Sequence, residues 1–532
     1  MSDNNTAEIV LYNTMTGSKE KLETLQPGKC GIYCCGPTVY DYTHLGNARA
    51  AVVPDLMVRF LRHQGYEVKY VRNVTDIDDK IISRSAEQGV SPTELAIRFT
   101  EEYHKDMTSL NAVDPDVEPR VSDTIDEIIA LVQSLVDKGL AYDVDGDVYF
   151  RVPDFKGYGK LSKRSVDEML EAAGSRIDVD ERKETPLDFA LWKSAKAGEP
   201  SWTSPWGEGR PGWHIECSAM SSKHLGDSFD IHGGGRDLIF PHHENEIAQS
   251  QGAHGEDTYA RYWVHNGFIN FAGEKMSKSL GNFFTTRELT AIFPAETLRY
   301  FLMTVHYRSG LNFDLEVTCP NCAATLDKDQ QERAVCDSCG HVTTADILKK
   351  QVRFPSLEEA DDRLTYIYST LDAAARFLET AKAPGQEIPV EGPVGEMLDA
   401  FVAHMANDLN SSGALGALSK PLSEVNTLLA SGKGVNKALR FATIDHFVES
   451  MKEVAEILGC FGKDPAAWLV QRRDMKAGRI GLDTNKVDEL LAQRIAARQE
   501  KDWAGADEIR DQLTALGVTV QDGPDGSIWA FI

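Results

Sequence analysis

Residues 231–250, Ile-His-Gly-Gly-Gly-Arg-Asp-Leu-Ile-Phe-Pro-His-His-Glu-Asn-Glu-Ile-Ala-Gln-Ser, constrain this chain more than any other stretch. His232 sits in a glycine-rich turn, and Leu238-Ile239-Phe240 reads as a strand. Pro241 suits the first turn of a helix, where its missing N–H costs nothing. On that helix His242 and Glu246, four apart, share a face, and so do His243 and Glu246, three apart. An imidazole and a carboxylate at such spacing can grip one Zn²⁺. A polar helix start with no metal is the plain alternative, so the reading depends on donors elsewhere.

At 532 residues the chain is too long for one core and should divide into several domains. No apolar run approaches a membrane span. Met1–Thr6 lacks the basic and apolar regions of a signal peptide. A cytoplasmic location is expected, with the nine cysteines mostly reduced. Four of them form two Cys-x-x-Cys pairs, which favours metal over disulfide. A net charge of −26 argues against a general nucleic-acid binder, so an RNA partner would need local basic patches.

Gly31–Cys35 is a candidate first strand of a nucleotide-binding sheet. Successive side chains on a strand face opposite ways, so Cys34 and Cys35 cannot both enter one site. After a turn through Gly36, the string His44-Leu45-Gly46-Asn47 opens a helix running to about His63. Such a helix start offers free N–H groups and a positive dipole end to phosphate. Gly46 would let a nucleotide lie against the backbone. Val68–Val74 is a second strand, ending in Thr75-Asp76-Ile77-Asp78-Asp79, with a cap role open for Asp78 and Asp79. Helices fill 92–110 and 122–139. Residues 113–205 read as an insertion, with Asp145-Gly146 a hairpin turn. Residues 209–222 resume the sheet domain; there Cys217 is a thiolate ligand or a buried free thiol. Tyr262–Ile269 is a further strand, leading into a cationic loop with Lys275 and Lys278.

A His-x-Gly-x tetrapeptide followed far downstream by Lys275-Met276-Ser277-Lys278-Ser279 is the signature pair of class I aminoacyl-tRNA synthetases. The strings Tyr-Cys-Cys-Gly-Pro-Thr-Val-Tyr-Asp, Gly-Trp-His-Ile-Glu-Cys-Ser-Ala-Met, Phe-Asp-Ile-His-Gly-Gly-Gly and Phe-Pro-His-His-Glu-Asn-Glu closely resemble the cysteinyl-tRNA synthetase family. The resemblance implies an α/β fold: a Rossmann-type catalytic domain with an insertion, an all-helical bundle and a small anticodon-binding end. In domains, it implies catalytic halves at 1–112 and 206–285 around the 113–205 insertion, and a junction at 286–315. A bundle at 346–464 and a C-terminal domain at 465–532 complete the chain. It implies a catalytic zinc on Cys35, Cys217, His242 and Glu246, preferring His242 over His243. Gly36, Thr75, Trp213 and His232 would line the amino-acid pocket. His44, Gly46, Asn47 and Lys278 would bind ATP with Mg²⁺, and His44, Lys275 and Lys278 would stabilise charge during reaction. Asn47 stands where the class signature has a second His. The implied partners are ATP, L-cysteine and cysteine tRNA, and a monomer is expected.

Cys319-x-x-Cys322, thirteen residues, then Cys336-x-x-Cys339 departs from that family pattern and reads as a zinc ribbon over about 316–345. A structural zinc there is expected, with only Lys349, Lys350 and Arg353 nearby as cations. Helical periodicity marks 357–383, 393–410, 415–431 and 440–461, with Gly-rich connections at 411–416 and 432–434. Two more helices over 486–516 carry Arg494, Arg498, Lys501 and Arg510. A final hairpin then places Trp529 to stack on a base or to pack in a core. Arg472, Arg473, Lys476 and Arg479 form a basic patch suited to RNA phosphates, or a solvated linker. Two rivals share parts of this pattern: a ligase joining cysteine to an amino sugar, and a zinc hydrolase using Glu244 or Glu246 as base. A purely RNA-binding or structural zinc protein would explain the ribbon alone.

Overall fold

The computed structural model describes residues 7–166, 168–169, 181–271, 274–275, 284–348, 351–431, 434–523 and 526–531. Its centre is a four-stranded parallel sheet ordered Tyr259–Asn266, Ser228–Gly235, Lys29–Cys34, Glu67–Arg72. Parallel strands need cover on both faces. The alternation along Lys29–Cys34 supplies it: Cys30, Ile32 and Cys34 join the core under the helix Leu45–His63. Tyr33 enters the opposite core with Ile215, Met220 and Ile247 of the helices Trp213–Leu225 and Glu244–His254. All four strands present their carboxyl ends at one edge, where open α/β sheets bind ligands.

The region 236–243 differs from the sequence expectation. Pairing ends at Gly235, Arg236–Leu238 is a tight helical turn, and the helix begins at Glu244 rather than at Pro241. Phe240 is extended (φ −140°, ψ 130°) and its bond to Pro241 is cis. Ile239 and Phe240 are apolar because they pack on the core beneath the insertion, not because they pair in a sheet.

The insertion forms a five-stranded antiparallel sheet whose outer pair closes at Asp145 and Gly146, both with positive φ as a tight hairpin turn requires. Glu244 pins it, accepting from the backbone N–H groups of Gly159 (2.9 Å) and Ser162 (2.7 Å). The cysteine-pair segment folds around three short strands, Thr325–Leu326, Glu316–Thr318 and Val352–Arg353.

Helices Pro355–Thr380, Met397–Ala406, Ser419–Ala430 and Lys437–Leu458 build the bundle. The Gly-rich segment expected to connect two of them is itself a helix, Ser411–Ala417. Asn410 caps it through the Gly413 N–H (2.9 Å), and Ser411 and Ala414 are buried. The basic patch at 472–479 is largely consumed by the fold. Arg472 is buried on Asp361 (2.7 Å) and Asp362 (2.8 Å), and Arg479 lies over Phe293. Helices Thr484–Gln499 and Trp503–Ala515 and the hairpin Val518–Gly523/Gly526–Phe531 end the chain. Trp529 lies in their core with Val487 and Leu513, and its indole N–H donates to Asp488 (2.9 Å). It is therefore no platform for a base. Among the described residues no helix is long and apolar enough to cross a membrane.

Candidate active site and metal centres

Four elements converge at the carboxyl edge of the sheet. Cys35 follows the first strand, and its N–H bonds the Gly233 carbonyl (3.2 Å). Cys217 comes from the second turn of its helix, His242 from the turn before Glu244, and Glu246 from the first turn after it. The Cys35 and Cys217 sulfurs are 3.6 Å apart. Glu246 Oε1 lies 3.6 Å from Cys35 Sγ and 3.1 Å from His242 Nε2. A donor atom from each of the four falls within 4.8 Å of every other. Two thiolates on one tetrahedral zinc stand about 3.8 Å apart, so the donor set fits that ion.

A second set, Cys35, His232, His243 and Glu246, meets the same distance condition. Hydrogen bonding separates the two. His232 Nε2 (2.8 Å) and the Tyr259 hydroxyl (2.6 Å) occupy Glu246 Oε2, which turns Oε1 toward Cys35 and His242. The Nδ1 atoms of both rings are engaged, His243 by His265 (2.8 Å) and His242 by His214 (3.0 Å), but His243 Nε2 stays 3.9 Å from Glu246 Oε1. Only the first set contains two thiols, the softer donors that zinc prefers. The hydrogen bond from Cys35 draws the Cys217 thiol down to about 6, while burial lifts Cys35 well above the usual range. Burial opposes ionisation of Glu246 too, yet His232 and His242 hold its carboxyl below the usual range.

The same edge carries a helix start. His44 caps Leu45–His63 and forms a reciprocal box with Asn47: the Asn47 N–H reaches His44 Nδ1 (3.2 Å), and Asn47 Oδ1 accepts from the His44 N–H (3.1 Å). In that box Asn47 takes the reciprocal part that Glu or Gln ordinarily plays at the third helical position. A side chain at Gly46 would meet the His44 ring at 2.8 Å, and one at Gly36 would meet the Asn73 carbonyl oxygen at 1.6 Å. Cys35, Gly36, His44, Gly46, Asn47 and Trp213 line one cavity of about 490 Å³. The Trp213 ring stacks on His242 with centroids 4.2 Å apart. Thr75 and His232 lie behind the cavity wall: Thr75 donates to Glu216 (3.2 Å) and His232 to or from Glu246. Asp78 caps the helix Asp79–Gln88, and Asp79 pairs with Lys193 and Arg210.

Lys275 pairs through its backbone with Asn270, whereas Lys278 lies outside the described residues. The described chain from 284 onward returns to the helix Leu45–His63. The Thr286 N–H bonds the Thr43 carbonyl (2.8 Å), Arg287 lies over the Tyr42 ring, and Arg287 and Thr43 share Asp106.

Sequence reasoning missed Glu216, Tyr259 and Arg49. Burial holds the Glu216 carboxyl well above the usual range, under Thr75 and beside Cys217. Its signal was a carboxylate inside the apolar run Ile215-Glu216-Cys217-Ser218-Ala219. Arg49 is fully buried and donates to the carbonyls of Gly267, Phe268, Tyr307 and Ser309, which ties the helix Leu45–His63 to these turns. A lone arginine in an otherwise apolar helix face was the only cue.

In the ribbon, Cys319 Sγ lies 3.7 Å from Cys339 Sγ, and Cys322 Sγ 3.7 Å from Cys336 Sγ. All four sulfurs are within 4.8 Å of one another, a cluster compatible with zinc.

A family model described as the class I (C) tRNA synthetase catalytic domain matches residues 21–319, and the cysteinyl-tRNA ligase anticodon-binding domain matches 484–529. The fold agrees with the Mycobacterium tuberculosis methionyl-tRNA synthetase in complex with methionyl-adenylate at a TM-score of 0.56. That likeness covers 83% of this chain and 93% of the other at 16% identity. Sheet, helix start and matched domain define a class I tRNA synthetase. A cysteine–tRNA ligase of Syntrophotalea carbinolica is 46% identical over 520 residues, 98% of each chain. One of Anaeromyxobacter dehalogenans is 46% identical over 531 residues, 98% of this chain and 99% of its own. The chain belongs to the cysteine–tRNA ligase family.

Proposed function

We propose that this chain activates L-cysteine with ATP and transfers it to the 3′ end of cysteine tRNA. The observation that carries the reading is the single cavity joining a two-thiol donor set to a capped helix start. In the first step a carboxylate oxygen of cysteine attacks the α-phosphorus of ATP and pyrophosphate leaves. In the second a ribose hydroxyl of the tRNA attacks the cysteinyl carbonyl and AMP leaves. Positioning and charge stabilisation carry most of both. The helix start at His44 and Gly46 holds phosphate. Lys275 and Lys278 neutralise charge on the triphosphate, with Mg²⁺ accompanying ATP. Trp213 closes the amino-acid end against His242.

Cys35, Cys217, His242 and Glu246 would hold a zinc ion. When bound, zinc supplies a soft Lewis acid that prefers a thiolate to a hydroxyl, which a merely apolar pocket separates poorly. His232 and Tyr259 orient Glu246 for that role. A second zinc in the ribbon brings the content to two per chain. The C-terminal domain would read the tRNA anticodon; an amino-sugar ligase has no use for it, and its match over 484–529 favours the tRNA substrate. The reading places the enzyme in the cytoplasm, as a monomer. Cysteine-dependent ATP–pyrophosphate exchange tests it: exchange with cysteine and none with serine supports the reading, and equal exchange with both defeats the thiol-selective site.

A further inference from the structure

The ribbon interrupts the chain at a particular place. Its core is too small to hold a fold alone: among the described residues its buried apolar side chains are Val317, Leu326 and Leu348 with Cys319 and Cys336. A module of this kind folds with its metal. Its two stems, Glu316–Thr318 and Val352–Arg353, pair with each other, with Glu316 opposite Arg353 and Val317 opposite Val352. Leu315 and Val352 pack both on the ribbon core and on the main core.

Each stem runs directly into one aromatic cluster. Phe313 precedes the ribbon and Phe354 follows it; both are buried, and their rings stack with centroids 5.5 Å apart. Phe284 meets Phe354 edge-on at 5.3 Å and Phe313 at 6.0 Å. Phe271 meets Phe313 at 6.2 Å and is its strand partner, and Phe271 also pairs with Glu274 beside Lys275. Phe271 and Phe284 bracket the segment that carries both lysines.

We infer that a metal held by Cys319, Cys322, Cys336 and Cys339 positions the strand Glu274–Lys275 for catalysis, by clamping the stems that hold Phe313 and Phe354 under Phe271, its strand partner, and Phe284. With metal, the stems stay paired and the four rings stay seated. Without metal, more than thirty residues of unfolded chain pull on two ends that must remain adjacent. The cost falls on the step Lys275 serves and not on cysteine binding in the cavity. The inference rests on the ligase reading above.

The test uses three full-length proteins: the intact chain, the double variant Cys322→Ser/Cys339→Ser, and a chain in which Asn-Gly replaces residues 319–350. That dipeptide favours a two-residue hairpin turn and would close the stems at Thr318 and Gln351, whose backbones are bonded at 3.0 Å. The double variant should contain one zinc less and lose on the order of tenfold in the rate of cysteine-dependent exchange, with KM for cysteine unchanged. Amide exchange around Phe284 and Phe354 should quicken in it. The shortened chain, lacking the ribbon altogether, should recover both the rate and the protection. A metal-free ribbon with full exchange rate, or a shortened chain as slow as the double variant, overturns the inference. Absence of exchange in the intact chain would instead overturn the ligase reading.

Discussion

The two cysteine clusters bring their donor atoms together by opposite designs. The ribbon gathers four thiols within residues 319–339, two of them exposed, on turns with almost no core beneath them. The catalytic set gathers two thiols, an imidazole and a carboxylate from residues 35 to 246, nearly all buried, on a sheet and two helices that pack without it. In the ribbon a metal would make the fold. In the catalytic site the fold makes the place for the metal, and hydrogen bonds from His232 and Tyr259 aim the carboxylate beforehand. A site that must admit a substrate thiol needs the second design, because its geometry has to survive while a position is open.

The largest expected effect lies in the catalytic set. Cys35→Ser should cost more than about 100-fold in cysteine-dependent exchange, beyond what changes around metal ligands usually cost. It should remove one zinc and leave the ribbon zinc in place; full exchange in the variant would erase the contrast. Next comes release. Mixed with a chromogenic chelator, the intact chain should give up zinc in two phases, with the exposed ribbon at least about tenfold faster than the buried site. A single phase would mean that burial does not distinguish them. Tyr259→Phe removes the hydroxyl that bonds Glu246 and should weaken the catalytic zinc about tenfold while the ribbon phase is untouched. The smallest effect is expected at Asn321, whose side-chain amide lies 3.6 Å from Cys339 Sγ. Asn321→Ala should weaken ribbon zinc by only about 0.5 kcal/mol, since the backbone N–H to Cys319 remains, as chelator competition can measure.

The same contrast governs what could be read from the sequence. The ribbon is local, so its spacing alone announces four converging thiols. The helix start at His44 and the Asp145-Gly146 turn are local too. The catalytic donors are not. Spacing left His242 and His243 equivalent, and resemblance rather than period singled out Cys35 and Cys217. What separates the two histidines is that His242 Nε2 lies 3.1 Å from Glu246 Oε1 and His243 Nε2 3.9 Å, and that only the set with His242 holds both thiols, neither of which any period encodes. The apolar run Leu238-Ile239-Phe240 misled because packing against an insertion and pairing in a sheet demand the same residues. Ser411–Ala417 misled because a capped, buried helix tolerates two glycines. The sequence leaves Trp529 open between a base and a core, and Arg472 between RNA phosphate and solvent, because it does not reveal the aspartates, Asp361 and Asp488, that engage them.

The measurement that tests the account most directly is charging of a cysteine tRNA transcript with labelled cysteine, in the presence of excess serine and with an amino sugar as alternative acceptor. The account predicts cysteinyl-tRNA, undiminished by serine, and no sugar product. Exchange with cysteine but transfer only to the sugar would contradict the tRNA assignment, and charging with serine would contradict the role given to the two-thiol site.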